Sequence, residues 1–193
     1  MDVEAKKRAE VHEALEPWFD VWEEVRVETP LGKLRVDVVA IPRETSDLRE
    51  AIGFEVKSPV SELNFQDWAK VFKQAADYVG SITIDKRLPD VKISSVFVYP
   101  SPPYVPYPPP AHMSEDYSGG WFRQEQLLQY AGVIHLAQHF RVGHARWSSS
   151  RADSVFQLAM GPNPIWNQQH GWFKSGKDLL ASRRVGSKCL IRN

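Results

Sequence analysis

Acidic and basic side chains interrupt two apolar segments that lie close together in the chain. The first segment, 34–41, contains Asp37, and the second, 52–57, ends in Glu55, a valine and Lys57. A charge buried in an apolar strand is costly unless it is paired or binds a metal. Carboxylates are hard oxygen ligands for Mg²⁺ or Mn²⁺, and an adjacent ammonium group can hold water or stabilise charge on a phosphate. The spacing therefore predicts a divalent metal held between Asp37 and Glu55, with Lys57 beside it.

The alternation of side chains along a strand predicts the direction of each polar group. Glu55 and Lys57 are expected on one face of their strand. In the earlier strand, Asp37 is expected on the face opposite to a purely apolar one. That apolar face contains Leu34, Val36, Val38 and Ala40. If the two strands pair, the carboxylates of Asp37 and Glu55 converge at one point.

An acid, any residue and then lysine is a weak signal by itself, expected roughly once by chance in a chain of this length. The same pattern occurs at 4–6 and at 90–92. The pattern at 55–57 differs because it ends an apolar strand and follows a strand that contains Asp37. The structural alternative is an internal salt bridge in a protein that interacts with partners through a proline-rich segment.

Hydrophobic periodicity predicts the elements that precede the second acidic strand. Residues 3–22 are predicted to form an amphipathic helix, which Pro17 could kink or end. Its apolar stripe contains Val11, Leu15, Trp18 and Trp22. An alternating strand around 24–28 and a proline–glycine turn at 29–33 follow. That turn connects to the Asp37 strand, so a hairpin is expected.

A second amphipathic helix is predicted between an N-cap at Asn64 and a terminating Gly80. Its apolar stripe contains Phe65, Trp68, Phe72, Ala76 and Val79. A strand over 92–99 comes next, and this strand–helix–strand crossover predicts a parallel pair in a mixed sheet. The fold class is therefore predicted to be α/β. Beyond residue 120, a helix over 121–140, a strand over 154–160 and a short helix over 176–184 are expected.

Asp37, followed by Glu-x-Lys on the next strand and then by a helix, resembles the core of the PD-(D/E)XK nuclease superfamily. Val36 stands where the literal motif has proline. The helix carries Gln74 and Tyr78, which are four residues apart and share a helix face. This pair is similar to the Gln-x-x-x-Tyr motif of the branch found in recombination helicase–nucleases, phage exonucleases and CRISPR adaptation nucleases. The alternative for the pair is an ordinary solvated helix face.

The resemblance covers residues 10–99 and implies a restriction-endonuclease-like core with a mixed central sheet flanked by helices. It implies three regions: a nuclease core over 1–99, a proline-rich connector over 100–120, and a C-terminal elaboration over 121–193 that packs on the same domain. The implied activity is metal-dependent hydrolysis of DNA in phage or bacterial recombination, repair or defence. The alternative is a catalytically weak or inactive module of the same fold that binds DNA or a protein.

The resemblance also implies a role for each candidate site residue. Asp37, Glu55 and the Val56 carbonyl would coordinate one or two Mg²⁺ (or Mn²⁺) ions. Lys57 would orient or deprotonate the attacking water. The residues expected to contact DNA are Gln74, Tyr78 and Lys70.

The superfamily usually adds an acidic residue from the first helix. Glu10 and Glu13 are the candidates in this sequence, and either could be a plain surface residue. Glu10 is preferred because steps of four residues place it on one face with Ala14 and Trp18.

Composition is that of a soluble globular protein, with 193 residues of which 42% are hydrophobic and 25% charged. No apolar run is long enough to span a bilayer and the charged N-terminus does not resemble a signal peptide, so a cytoplasmic location without membrane contact is expected. The single Cys189 cannot form an internal disulfide. With 24 basic and 24 acidic side chains the net charge is zero, so DNA must be attracted by local patches or a metal.

Three further patterns have two interpretations each. The proline-dense segment 100–110 is either a semi-rigid connector or a polyproline ligand for a partner protein. His135, His139 and His144 are either satisfied or surface histidines, the preferred interpretation, or a zinc site. Three late tryptophans belong to the core or stack on unpaired bases. They are Trp147, Trp166 and Trp172.

Overall fold

The computed structural model describes residues 2–43, 50–58, 65–102, 132–149, 154–161 and 163–172. The elements of the first half are α1 (Val3–Leu15), β1 (Phe19–Thr29), β2 (Gly32–Pro42), β3 (Glu50–Val56), α2 (Phe65–Tyr78), β4 (Ile82–Thr83) and β5 (Lys92–Tyr99). Residues 132–137 are helical and continue into a 3-10 helix, Gln138–Phe140. The remaining strands are β6 (Val142–Ser149), β7 (Ser154–Met160), β8 (Asn163–Asn167) and β9 (Gly171–Trp172).

The strands form one mixed sheet, which confirms the predicted α/β class. Its nine strands have the order β3-β2-β1-β4-β5-β6-β7-β8-β9, and β3 also pairs with β5. Strands β1 to β5 therefore pair in a closed ring. The β3–β5 and β5–β6 pairs are parallel and the others are antiparallel, as predicted for the crossover through α2. Strands β6 to β9 extend the same sheet.

Two apolar clusters lie on opposite faces of the sheet, one beneath each helix. The α1 cluster includes Leu15, Val38, Phe54, Tyr99 and Trp166. The α2 cluster includes Val36, Val39, Trp68, Tyr78 and Val98. Because both faces are covered, the central strands are buried on both sides, and a charged residue there needs a specific partner.

The predicted helix over residues 3–22 is wrong beyond Leu15. The chain turns after α1, and β1 begins at Phe19. Pro17 has no N–H with which to continue the helical hydrogen bonds. Trp22 instead pairs with Val39 in the β1–β2 ladder.

The strict alternation predicted for the Asp37 strand is also wrong. Val36 packs in the α2 cluster, whereas Val38 packs in the α1 cluster. The change coincides with a gap in the β1–β2 ladder, which pairs residues 23 with 38 and 25 with 36 but does not pair Glu24 with Asp37. Glu24 has a left-handed backbone with φ of 54°, which interrupts the regular ladder at this position.

The other predicted elements that fall on described residues are confirmed. These are the helix 65–78, the strands 92–99 and 154–160, and the part of the predicted late helix at 132–140. Gly32 closes the hairpin turn with φ of +117°, a backbone conformation that favours glycine. Several predictions concern positions outside the described residues, namely Asn64, Cys189 and the segments 103–131 and 176–184.

Candidate active site

Strand register brings Asp37 to the end of β3, beside Glu55. The β2–β3 ladder ends at the pair of Val38 and Phe54, which are the neighbours of Asp37 and Glu55 in the chain. There the Oδ2 atom of Asp37 accepts a hydrogen bond of 2.7 Å from the Val56 backbone N–H. This bond holds one carboxylate oxygen of Asp37 against β3 and leaves Oδ1 for another partner.

Lys57 connects the buried carboxylate of Glu55 to the surface. Its Nζ lies 2.5 Å from Oε1 of Glu55 and 3.9 Å from Oε1 of Glu4. The Glu55 side chain is 1% exposed and that of Lys57 is 26% exposed. The backbone N–H of Lys57 donates to the Tyr99 carbonyl at 2.8 Å, so β3 and β5 hold this residue in place.

Burial raises the pKa of both carboxyl groups, and repulsion from neighbouring acids adds to the effect. Burial, followed by repulsion from Asp37, raises the pKa of Glu55 to about 7. Burial also raises the pKa of Asp37, although the Val56 N–H and Lys57 oppose the change. Burial opposes ionisation of Lys57, but contact with Glu55 outweighs it and raises the pKa of Lys57. The site therefore contains a protonated amine beside a buried carboxyl group that loses its proton only near neutral pH.

The donor set at Asp37 and Glu55 fits a divalent cation. Within the described residues, neither Glu55 oxygen accepts a hydrogen bond of regular geometry, although Lys57 is close. A cation would supply the positive charge that favours ionisation of both acids. The described segments contain no group of three or more acidic, histidine or cysteine side chains that could hold a metal. Mg²⁺ suits such a site because it commonly uses one or two carboxylates and completes its shell with waters and phosphate oxygens.

Tyr78 reaches the site from α2. Its ring is 3% exposed, and its hydroxyl interacts with the Glu55 carboxylate. The Nε2 atom of Gln74 donates to the Tyr78 hydroxyl at 2.7 Å. Burial and the charge of Glu55 raise the pKa of Tyr78, so the hydroxyl stays protonated. The alternative interpretation, an ordinary solvated helix face, is therefore wrong for Tyr78, which is buried. Gln74 is exposed at the surface.

Lys70 lies on the exposed side of α2. Its side chain is 75% exposed, and its Nζ pairs with Asp67 at 3.3 Å. It makes no ion pair with Asp37 or Glu55, so its expected contact with DNA stays a prediction.

Helix α1 brings a different acid to Lys57 than the preferred Glu10. Glu10 accepts a hydrogen bond of 2.6 Å from the Tyr99 hydroxyl and pairs with Lys7 at 2.7 Å. Within the described residues, neither Glu10 nor Glu13 makes an ion pair with Lys57. Glu4 does reach Lys57, and sequence reasoning missed it. Glu4 lies in the first turn of α1, where acidic residues are common because they interact favourably with the helix dipole. Its position in the sequence therefore did not indicate a role at the site.

Within the described residues, His135, His139 and His144 belong to no group of three or more potential metal ligands. His144 is buried, with Nδ1 2.9 Å from Oγ of Ser101 and Nε2 3.0 Å from the Gly161 carbonyl. Burial lowers the pKa of His144 to about 4, so the ring is neutral. His135 lies 3.4 Å from the Gln138 amide instead. Among the residues that the structure describes, His144 is thus a satisfied core histidine.

The metal-free protein is expected to lose stability as the pH rises from about 4.5 to about 7. In this window Glu55 ionises in the unfolded chain, at its ordinary pKa of 4.5, but stays protonated in the folded protein, with a pKa of about 7. The difference corresponds to about 3 kcal/mol at most. Urea unfolding in chelator at several pH values measures it. A Glu55→Gln control should show a flatter profile, and parallel profiles for the two proteins would contradict the assignment.

No protein-family model, curated protein or solved structure matches this chain. None of the helices in the described ranges is long and apolar enough to cross a membrane. Function is carried by sites rather than by folds, so the informative feature is the contact among Asp37, Glu55, Lys57 and Tyr78.

Proposed function

We propose that the protein is a Mg²⁺-dependent deoxyribonuclease, also able to use Mn²⁺, with a PD-(D/E)XK core. The observation that carries this proposal is the convergence of Asp37, in the middle of β2, and Glu55, near the end of β3, with Lys57 2.5 Å from Glu55. Paired carboxylates and a charged amine form a site suited to metal-assisted phosphodiester hydrolysis.

The order of elements supports a restriction-endonuclease-like core. Helix α1 precedes the three strands β1, β2 and β3, and α2 then crosses to β5, which lies parallel to β3. Glu-x-Lys ends β3, and Tyr78 of the Gln-x-x-x-Tyr pair interacts with Glu55. The two motifs on which the resemblance depends therefore meet at one place. Strands β6 to β9 elaborate this core.

The metal ligands in the proposal are Asp37, Glu55 and the Val56 carbonyl. When bound, Mg²⁺ supplies Lewis-acid stabilisation of the charge that develops on the phosphate and lowers the pKa of a coordinated water. The hydrogen bond from the Val56 N–H keeps Asp37 oriented. Tyr78 interacts with Glu55 from α2, so each of the two carboxylates has a protein contact before substrate binds.

Lys57 holds the attacking water and stabilises negative charge on the phosphate. Contact with Glu55 raises the pKa of Lys57, so the amine is charged in the resting protein and acts as a hydrogen-bond donor. Of the two expected roles, orientation of water fits this charge state better than removal of its proton. The exposed Gln74 and Lys70 of α2 would contact the DNA backbone.

Incubation with linear, circular and branched DNA in Mg²⁺, Mn²⁺ or chelator tests the proposal. Metal-dependent cleavage that is lost in Asp37→Asn supports it, and cleavage of closed circles identifies an endonuclease. Absence of cleavage with either metal on every substrate contradicts it. DNA binding without cleavage would instead identify the inactive binding module.

Glu4→Gln is expected to reduce cleavage by about 10-fold because it removes a carboxylate that reaches Lys57, an effect typical of groups that orient metal-site residues. Glu10→Gln is the matched control, since its amide oxygen can still accept the Tyr99 hydrogen bond. Initial cleavage rates at saturating Mg²⁺ measure both. If cleavage is reduced only in Glu10→Gln, then Glu10, and not Glu4, is the acidic residue that α1 contributes to the site.

A further inference from the structure

Trp147 is the exposed member of the three late tryptophans. Trp166 is fully buried, and Trp172 packs at the edge of the α1 cluster. The side chain of Trp147, by contrast, is 41% exposed. The sequence allowed two interpretations for all three, core packing or stacking on bases. Because Trp166 is buried, it belongs to the core. Trp147 is thus the most exposed of the three.

The ring of Trp147 is held in place by its neighbours. It pairs with Phe156 across the β6–β7 ladder and packs on the Phe156 ring edge-on, with 5.3 Å between centroids. Phe156 in turn packs on the Tyr99 ring, with 5.4 Å between centroids. Because the ring is already ordered, a ligand that stacks on it loses less side-chain entropy on binding.

Trp147 lies at the edge of the sheet where the candidate active site is found. Strands β3, β5 and β6 are parallel, and β5 pairs Val98 with His144. Trp147 lies three residues beyond His144, toward the same carboxyl edge at which Lys57 follows β3. Tyr99 joins the two places, because its carbonyl accepts a hydrogen bond from the Lys57 N–H at 2.8 Å while its ring packs on Phe156, which Trp147 also contacts.

Two lysines lie near this aromatic group, each paired with a carboxylate. The Nζ atom of Lys7 lies 5.7 Å from the centroid of the Tyr99 ring and pairs with Glu10, whereas the backbone of Lys57 is bonded to that of Tyr99 and its amine pairs with Glu55. Both ammonium groups are partly exposed. An aromatic surface beside lysines matches a strand of nucleic acid, with the base against the ring and the phosphates near the amines.

We propose that Trp147 is a stacking platform for an unpaired base of the DNA strand whose phosphate lies at Lys57. The proposal rests on the nuclease function and specifies its substrate class as single-stranded DNA or an unpaired end. A paired base has both faces covered by its neighbours in the duplex, so only an unpaired base can stack on Trp147. Every base has an aromatic face, so the platform tolerates any sequence.

DNA binding measured in chelator, where metal-dependent cleavage cannot occur, tests the stacking platform at Trp147. A labelled oligo-dT and a duplex of equal length are titrated with wild-type protein, Trp147→Ala and Trp147→Phe. Trp147→Ala should weaken oligo-dT binding by about 5- to 100-fold, as for other base-stacking aromatics, with duplex binding nearly unchanged. Trp147→Phe should retain most of the affinity. Phe140→Ala is the matched control, because Phe140 is 58% exposed and precedes β6 at the opposite edge of the sheet.

The outcomes separate this proposal from the nuclease function. Wild-type affinity of Trp147→Ala for oligo-dT overturns the platform, as does a wild-type protein that does not bind oligo-dT, even if metal-dependent cleavage is observed. Selective loss of oligo-dT binding in Trp147→Ala supports the platform even if no DNA is cleaved, in which case the nuclease function alone fails.

Discussion

Replacing Lys57 with alanine is expected to lower Mg²⁺-dependent DNA cleavage by about 10²- to 10³-fold, the usual effect of removing one charged donor from a preorganised site. The amine is the positive group 2.5 Å from the buried Glu55 carboxylate, and no other described lysine or arginine makes an ion pair with Glu55. Without it, the pKa of Glu55 should rise further, so the carboxyl group is neutral and the fold is retained.

Cleavage rates and circular dichroism measure the two parts of this prediction. Asp37→Asn and Glu55→Gln should lose at least as much activity, because they remove the proposed metal ligands. Lys73→Ala is the matched control, since Lys73 is 76% exposed on α2 and pairs only with Asp77 among described residues. A Lys57→Ala protein that cuts DNA at the wild-type rate would show that the catalytic assignment is wrong.

Trp166→Ala is expected to reduce the free energy of unfolding by about 3–5 kcal/mol, the usual cost of removing a buried large aromatic side chain. Trp166 is fully buried and packs edge-on against Phe19 at 5.5 Å and Trp18 at 6.4 Å between centroids. Trp18 also donates to the Gln168 carbonyl, so these rings join α1 and β1 to the C-terminal strands.

Trp147→Ala supplies the comparison for this second prediction. Because Trp147 is 41% exposed, its removal should cost about 1 kcal/mol or less. Urea unfolding of both variants measures the difference. Trp166→Phe should recover much of the lost stability, since the indole N–H of Trp166 has no hydrogen-bond partner among described residues. Equal losses of unfolding free energy for Trp147→Ala and Trp166→Ala would contradict the assignment of Trp166 to the core and of Trp147 to the surface.

Local patterns in the sequence were sufficient to predict the polar groups of the site and most elements that hold them. The apolar strands that contain Asp37 and Glu55, the hairpin turn at Gly32 and the parallel crossover to β5 are all confirmed. These features depend on spacing between neighbours in the chain: period two in strands, 3.6 in helices, and glycine where φ is positive. Glu55 and Lys57 are two residues apart, so their contact follows from strand geometry.

The tertiary structure decided the features that depend on residues far apart in the chain. The helix predicted over 3–22 ends at Leu15, and residues from Phe19 to Thr29 pair with β2 instead, except at Glu24. The face of each residue around Asp37 depends on the left-handed Glu24 across the hairpin. No periodicity within one segment contains that information.

The choice of acid on α1 has the same origin. Steps of four along the helix favoured Glu10, but the packing of α1 on the sheet directs Glu10 to Tyr99 and Glu4 to Lys57. Likewise Trp147 and Trp166 are both followed by two polar residues, yet one is exposed and the other buried. Spacing along the chain specifies which side chains share a face, whereas the docking of that face and the strand register determine which groups meet.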